Sequence, residues 1–427
     1  MDSSVDRQSM QRLDRDSLKQ YQLQRLNNLL GAVLPTNHFY AQKFSGVASQ
    51  LASVDQLSNL PYTSKTELVG EDEDGWAANR TFERTRYTRF HQTSGTRGRP
   101  LIVLDTAEDW HWWIESWQYV LDAAEITSGD VCMLAFSFGP FIGFWSAFDA
   151  VLQRGCLGIS GGGLSTHARL ERMKTLEATC LFCTPSYALR MAEVATEVGM
   201  DLRQLSIRTI VVAGEPGGSI VSVRNQIETA WDARVLDHSG ATEIGPWGYG
   251  TLEGGGLYVN EAEFVAEFIN YETGVPAAEG ELSELVLTTL GRAGNPVIRY
   301  RTGDLVRPRW STQDKNIRFV FLEGGVLGRV DDMLIIRGVN ILPSSVEQVI
   351  RSFPEVAEYR MTAQREGALD RLQVEVEDRQ QSPDRIAAEL QLRLGLSIEV
   401  VSVPVGSLPR SEGKAQRFID QRRGNIA

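Results

Sequence analysis

The chain has 427 residues, 42% hydrophobic and 23% charged, which is ordinary globular material of a length for two or three domains. Its formal net charge of −12 repels phosphate backbones overall, which argues against general nucleic-acid binding but leaves room for a local cationic pocket. No apolar run approaches the roughly 18 residues that span a bilayer, and residues 1–16 are polar and mixed in charge, so a cytoplasmic protein without a membrane partner is expected.

Residues 13–50 read as helical, with Leu18, Leu23, Leu26, Leu29 and Leu30 near helical spacing. Pro35 and Pro61 interrupt, and Thr63-Ser64-Lys65-Thr66-Glu67 offers a helix start. Residues 84–90 alternate apolar and polar side chains, and a second apolar strand resumes at 101–104. Between them lies His91-Gln92-Thr93-Ser94-Gly95-Thr96-Arg97-Gly98-Arg99-Pro100. Glycines let backbone N–H groups converge on an anion, hydroxyls add donors, and arginine matches a phosphate with a planar fork. A polyphosphate site and a plain surface loop both fit this stretch alone. The ordinary P-loop does not, because no Gly-Lys-Ser/Thr closes it before a helix.

From 105 to 245, strand and helix signals alternate. Helices are expected at 110–124, 141–154, 167–177, 186–198 and 221–231, and strands at 131–138, 156–160, 179–183, 209–213 and 234–238. The four tryptophans of 110–117 read as core packing and not as a ligand cage. Apolar strands alternating with helices imply a mostly parallel sheet covered on both faces, with ligands beyond the carboxyl ends of its strands. Three polar clusters fall there: Ser160-Gly161-Gly162-Gly163, Gly214-Glu215-Pro216-Gly217 and Ser239-Gly240-Ala241-Thr242-Glu243. Cys180 and Cys183 form a Cys-x-x-Cys, but an offset of three on a strand sends the thiols to opposite faces, so core cysteines are expected.

Shorter alternating runs at 282–289 and 297–300 suggest antiparallel sheet. The last hundred residues give a strand at 334–336, a helix at 347–351, a strand at 372–376, a helix at 384–394 and a strand at 398–403. The expected fold class is therefore α/β. A large N-terminal domain, 1–330, would hold mostly parallel sheets with helices and an antiparallel subdomain, and a small C-terminal α+β domain, 331–427, would follow.

Taken in order, Thr93 to Pro100, Ala213-Gly214-Glu215-Pro216, Gly240-Ala241-Thr242-Glu243, Tyr300-Arg301-Thr302-Gly303-Asp304-Leu305, the segment from Gly328 to Asn340 and Gly413-Lys414-Ala415 resemble the motif set of the adenylate-forming acyl- and aryl-CoA synthetase superfamily. Asn37-His38-Phe39-Tyr40 and Thr184-Pro185-Ser186-Tyr187, with no further domain expected, make it similar to the phenylacetate–CoA ligase branch. The resemblance implies ATP-dependent activation of a carboxylic acid as an acyl-adenylate, then transfer to coenzyme A, with Mg²⁺ as cofactor. It assigns Thr93, Ser94, Gly95, Thr96, Gly98, Arg99, Gly214, Glu215, Pro216, Ser239, Gly240, Ala241, Thr242, Asp304 and Arg329 to ATP, and Lys414 and Glu243 to catalysis. Glu243 would also face Mg²⁺, which prefers one or two carboxylates plus phosphate oxygens. Asp331 would be the hinge between two conformations and Gly338 part of the thioester-forming face. The acid pocket is expected to draw on Phe138, Phe141, Trp145, Ser160, Gly161 and Gly162.

Two departures stand out. Arg99 replaces the family's usual Lys with charge retained. Ser239 replaces its usual Tyr, whose ring flanks adenine, so His238 or a nearby Trp is expected to compensate. His91 and His238, at loop edges, read equally as structural histidines, and Lys414, Arg417, Arg422 and Arg423 as a solvated face more than as a CoA phosphate site. Two other readings stay open: transfer to a carrier-protein thiol or an amine, and a nucleotide-binding relative that has lost catalysis. The choice of acid and the oligomeric state, homodimer included, are also open.

Overall fold

A computed structural model describes residues 3–47, 50–69, 76–93, 100–136, 139–310, 316–336, 339–366, 369–410 and 417–422. Of the expected site residues, Ser94, Gly95, Thr96, Gly98, Arg99, Phe138, Gly338 and Lys414 lie outside that set.

Among the described residues, nine strands form the central sheet. Its parallel half runs Leu157–Ser160, Val131–Leu134, Cys180–Cys183, Thr209–Ala213 and Arg234–Ala241. Its antiparallel half continues through Gly245–Tyr249, Gly256–Val259, Phe321–Glu323 and Pro308–Arg309. Cys180 belongs to the core on one face of this sheet and Cys183 to the core on the other, and both are fully buried. The alternation of a strand divides the two thiols as its period requires.

Helix Ala107–Ala123 starts at a reciprocal cap, in which Asp109 N donates to Thr106 Oγ1 (3.1 Å) and Thr106 N to Asp109 Oδ2 (3.0 Å). Its four tryptophans are buried, and each indole N–H finds an acceptor: Asp149 for Trp110, Glu263 for Trp112, Asp105 for Trp113 and Ser146 for Trp117. Helix Pro185–Glu197 begins with Pro185 in its first turn and Thr184 as cap, where the missing N–H of proline costs nothing. The helical stretch at 13–50 divides into Arg15–Val33 and His38–Lys43 at the interruption expected from Pro35, and Asn37 caps the second helix. These N-terminal helices pack with Val265, Leu290 and Ile298 in a separate core.

A second sheet pairs Phe264–Asn270, Ser283–Thr289, Tyr300–Val306 and Gly328–Arg329, all antiparallel. The strand expected at 297–300 begins instead at Tyr300. Arg299 takes φ +51°, and its flanking peptides bond to Thr63, with Thr63 N donating to Arg299 O (2.8 Å) and Arg301 N to Thr63 O (2.9 Å). From Leu334 onward the chain surrounds its own core, built from strands Val356–Glu366 and Leu369–Asp378 and helices Pro343–Ile350 and Pro383–Leu394. The long strand Val356–Glu366 escaped the sequence reading because charges interrupt its apolar alternation.

Candidate active site

The parallel strands present their carboxyl ends at one edge of the sheet, and the polar clusters lie there. Strand Arg234–Ala241 runs three residues beyond the expected end and turns through Thr242-Glu243-Ile244 into Gly245–Tyr249. Gly245 has φ +133°, and a Cβ on it would stand 2.9 Å from the Trp112 ring, so only glycine lets this hairpin close against the tryptophan helix. Glu243 rides on the tip. Its Oε1 accepts from Tyr300 Oη at 2.8 Å, Lys65 Nζ stands 3.7 Å from the same oxygen, and its main-chain carbonyl accepts from Arg292 Nη1 at 2.8 Å. None of these three partners was anticipated from sequence. Lys65 sits in the predicted helix start, and Tyr300 opens the Arg-Thr-Gly-Asp segment, but no local signal pointed to Arg292.

The strand that begins with Tyr300 also carries Asp304. Asp304 Oδ1 accepts from Arg329 Nη1 (2.9 Å), its N–H donates to Thr302 Oγ1 (2.9 Å), and Arg329 Nη2 donates to Thr302 O (3.0 Å). The register makes Asp304 and Arg329 direct cross-strand partners. Burial pulls the Arg329 guanidinium down, but Asp304, Asp331, Asp332 and Glu243 outweigh it and hold it above its ordinary range. Burial, then the Glu243 charge, pushes the Tyr300 phenol far up, so it stays a protonated donor. Asp331 follows in the short turn Val330–Asp332.

Gly214 has φ +92°, and Glu215 accepts from Ser186 N at 2.7 Å, in the first turn of helix Pro185–Glu197. Glu215 thus ties two strand ends together. Thr93 lies at the end of strand Tyr87–Gln92, where its N–H and Oγ1 bond across to Leu101 O (3.1 Å) and Leu101 N (3.0 Å). Of the expected acid-pocket residues, Phe141 is 38% exposed and precedes helix Ile142–Arg154, while Trp145 Nε1 donates to Gly139 O at 2.9 Å. Gly161 is buried against strand Val131–Leu134, where a Cβ would stand 2.8 Å from Leu134 O, and its carbonyl accepts from buried Arg169 Nε at 2.9 Å. Beside it Ser160 is exposed and Gly162 half-buried.

Ser239 gains nothing from His238. That ring points to the opposite face, 4.2 Å from the Trp117 ring, with Nδ1 on Gly248 O at 2.7 Å. Burial lowers its pKa to about 4, so it is a neutral core histidine. His91 is likewise buried, stacked 5.5 Å from Trp110, and lowered to about 4 by burial, then by Arg292 and Arg89. Of the basic C-terminal run, Lys414 and Arg423 lie outside the described residues, and Arg417 and Arg422 differ from a solvated face. Arg417 forks onto Glu358 at 2.6 and 3.1 Å with its side chain only 13% exposed, and Arg422 bonds Asp420 at 2.9 and 2.8 Å.

The comparisons with known proteins give the class, an AMP-forming acid–CoA ligase. Residues 338–422 match the family model described as "AMP-binding enzyme C-terminal domain". The phenylacetate-coenzyme A ligase of Escherichia coli (strain K12) is 33% identical, and that of Pseudomonas putida 30% identical, each comparison covering 95% of both chains. The chain belongs to the phenylacetate–coenzyme A ligase family. Among solved structures, 2-hydroxyisobutyryl-CoA ligase in the postadenylation state with R3-HIB-AMP superimposes with a TM-score of 0.91 at 25% identity, covering 97% of this chain and 91% of that one. The same protein in the thioesterification state, with 2-HIB-AMP and CoA, gives 0.73 at the same identity and 97% coverage of this chain. At the same identity and the same coverage of this chain, the superposition on the postadenylation structure is the closer of the two.

Proposed function

We propose that this chain adenylates an aryl or arylacetic acid with ATP and passes the acyl group to the thiol of coenzyme A. A carboxylate oxygen attacks the α-phosphorus and pyrophosphate departs. The thiol sulfur then attacks the acyl carbonyl, AMP departs, and the thiol proton goes to solvent. The observation that carries the reading is the gathering of Tyr300, Asp304 and Arg329 around Glu243, on the hairpin tip beyond strand Arg234–Ala241, in a chain of this family. Asp304 would accept from the ribose hydroxyls while Arg329 holds its other side. Phe141 and Trp145 would flank the acid, and Lys414 would meet the charge that develops at the reacting phosphate and carboxylate. We place the boundary between the two domains at 330–331, with Asp331 as hinge and Gly338 on the face used for thioester formation.

The donor set suits a cation that arrives on phosphates. Glu243 is a single carboxylate with Oε1 steadied by Tyr300, and among the described residues no group of three or more His, Cys, Asp or Glu could hold a metal. Mg²⁺ would supply charge neutralisation on the phosphate oxygens, with Glu243 as its protein ligand. Carboxylate-dependent ATP–pyrophosphate exchange across a panel of acids tests the reading. Lys414→Ala should slow exchange by about two to three orders of magnitude, and equal exchange by wild type and variant would overturn its assignment. AMP release without thioester when CoA is the acceptor would move the second step to a carrier-protein thiol or an amine.

A further inference from the structure

We propose that Arg292, held by Asp105, is a positioning residue that fixes the height of Glu243 in the nucleotide site. The proposal rests on the reading of Glu243 as the carboxylate facing Mg²⁺·ATP. Arg292 and Asp105 are both 0% exposed, 187 residues apart in sequence, and joined by Nε to Oδ1 at 2.8 Å. The second prong of the guanidinium, Nη1, reaches the main-chain carbonyl of Glu243 at 2.8 Å. Trp113 completes the seat, its Nε1 donating to the same Asp105 oxygen at 3.2 Å and its ring lying 5.5 Å from the guanidinium carbon.

The geometry ties the Glu243 hairpin to a strand far from it in sequence. Asp105 lies on strand Ile102–Thr106, which pairs with Tyr87–Gln92 through Arg89 opposite Asp105 and His91 opposite Val103. Arg292 therefore bridges strand Ile102–Thr106 to the hairpin tip carrying Glu243. Tyr300 fixes the carboxylate end and Arg292 the main-chain end, so Glu243 is held at two points. The backbone around Arg292 has little freedom, since a Cβ on Gly291 would lie 2.1 Å from Trp112 and one on Gly294 2.3 Å from Asp109.

Stability alone is a poor reason for this pair. Desolvating two charges offsets most of their attraction, and an apolar pair of the same volume is often as stable. The surroundings are also incompletely satisfied: His91 Nδ1, Asp105 Oδ2 and Arg292 Nη2 are buried without a hydrogen-bond partner among the described residues. A costly buried ion pair whose second prong, Nη1, seats the main chain of Glu243 points to geometry kept for a site.

The test is ATP binding by titration calorimetry without any carboxylic acid, with Mg²⁺ and separately with a chelator, together with the thermal midpoint. Arg292→Lys keeps a cation on Asp105 but loses the planar second prong. It should keep a near-native midpoint and bind Mg²⁺·ATP roughly tenfold more weakly, the size of one lost charge-assisted hydrogen bond, with metal-free ATP unaffected. If Arg292→Lys does not fold, Asp105→Asn, isosteric and still an acceptor for Trp113, is measured in its place with the same expectation. Unchanged Mg²⁺·ATP affinity, or a loss equal with and without metal, would overturn the proposal. Glu243→Gln separates the two readings. If Glu243→Gln weakens Mg²⁺·ATP binding and Arg292→Lys does not, only the positioning role falls. If Glu243→Gln has no effect, the metal-facing reading falls and the positioning role with it.

Discussion

Tyr300→Phe isolates a single bond in the site. The ring is 1% exposed and would stay in place, so no cavity opens, and what is lost is the 2.8 Å bond from Oη to Glu243 Oε1. A hydrogen bond to a charged acceptor contributes about 1.5–3 kcal/mol. The Glu243 side chain is about 10% exposed and Lys65 Nζ lies 3.7 Å from the same oxygen. Water and that ammonium would recover part of the loss, leaving about 1–2 kcal/mol, or roughly 5–30-fold in a rate that depends on the orientation of the carboxylate. ATP–pyrophosphate exchange at saturating acid should fall by that factor, while the thermal midpoint moves by only a few degrees. Exchange within twofold of wild type would mean that Tyr300 does not set the orientation of Glu243 for this reaction, and the two-point seating of that residue would have to be abandoned.

Asp304→Asn keeps shape but removes the charge that pairs with Arg329 at 2.9 Å, so the KM for ATP should rise about 10–100-fold with little change at the acid, which steady-state kinetics in both substrates would check. His238→Asn should flatten the acid limb of stability. The folded pKa of His238, about 4, lies below the ordinary 6.5, so the unfolded chain binds the extra proton and stability falls as pH drops from 6.5 towards 4. At pH 5 that loss is about 2 kcal/mol. Asp105 and Asp237, both raised to about 6 by burial, act in the opposite sense, their contribution growing as pH falls from 6 towards 3.8. The difference in urea midpoints between wild type and variant, at pH 7 and at pH 5, separates His238 from this background, and equal acid slopes would refute the assignment.

Much of the fold was legible because its signals are local. Helix Val221–Trp231 and strand Thr209–Ala213 follow their apolar periods residue for residue, and the ordered Gly-, Thr- and Glu-rich clusters mark the turns beyond strand ends. Sequence alone therefore determined the α/β class, the placing of Cys180 and Cys183 in cores and the polar turns beyond the parallel strand ends. It could not locate the turn at Arg299, whose positive φ is imposed by bonds to Thr63 from far along the chain, or the strand Val356–Glu366, where packing overrides a charged pattern. The partners of Glu243 came only from the tertiary structure. Tyr300 is 57 residues away, and Arg292 is seated by an aspartate 187 residues before it. Periodicity and propensity describe a residue among its chain neighbours. Which side chains face one another across two sheets is set by strand register and by how the sheets pack, and a linear pattern carries neither.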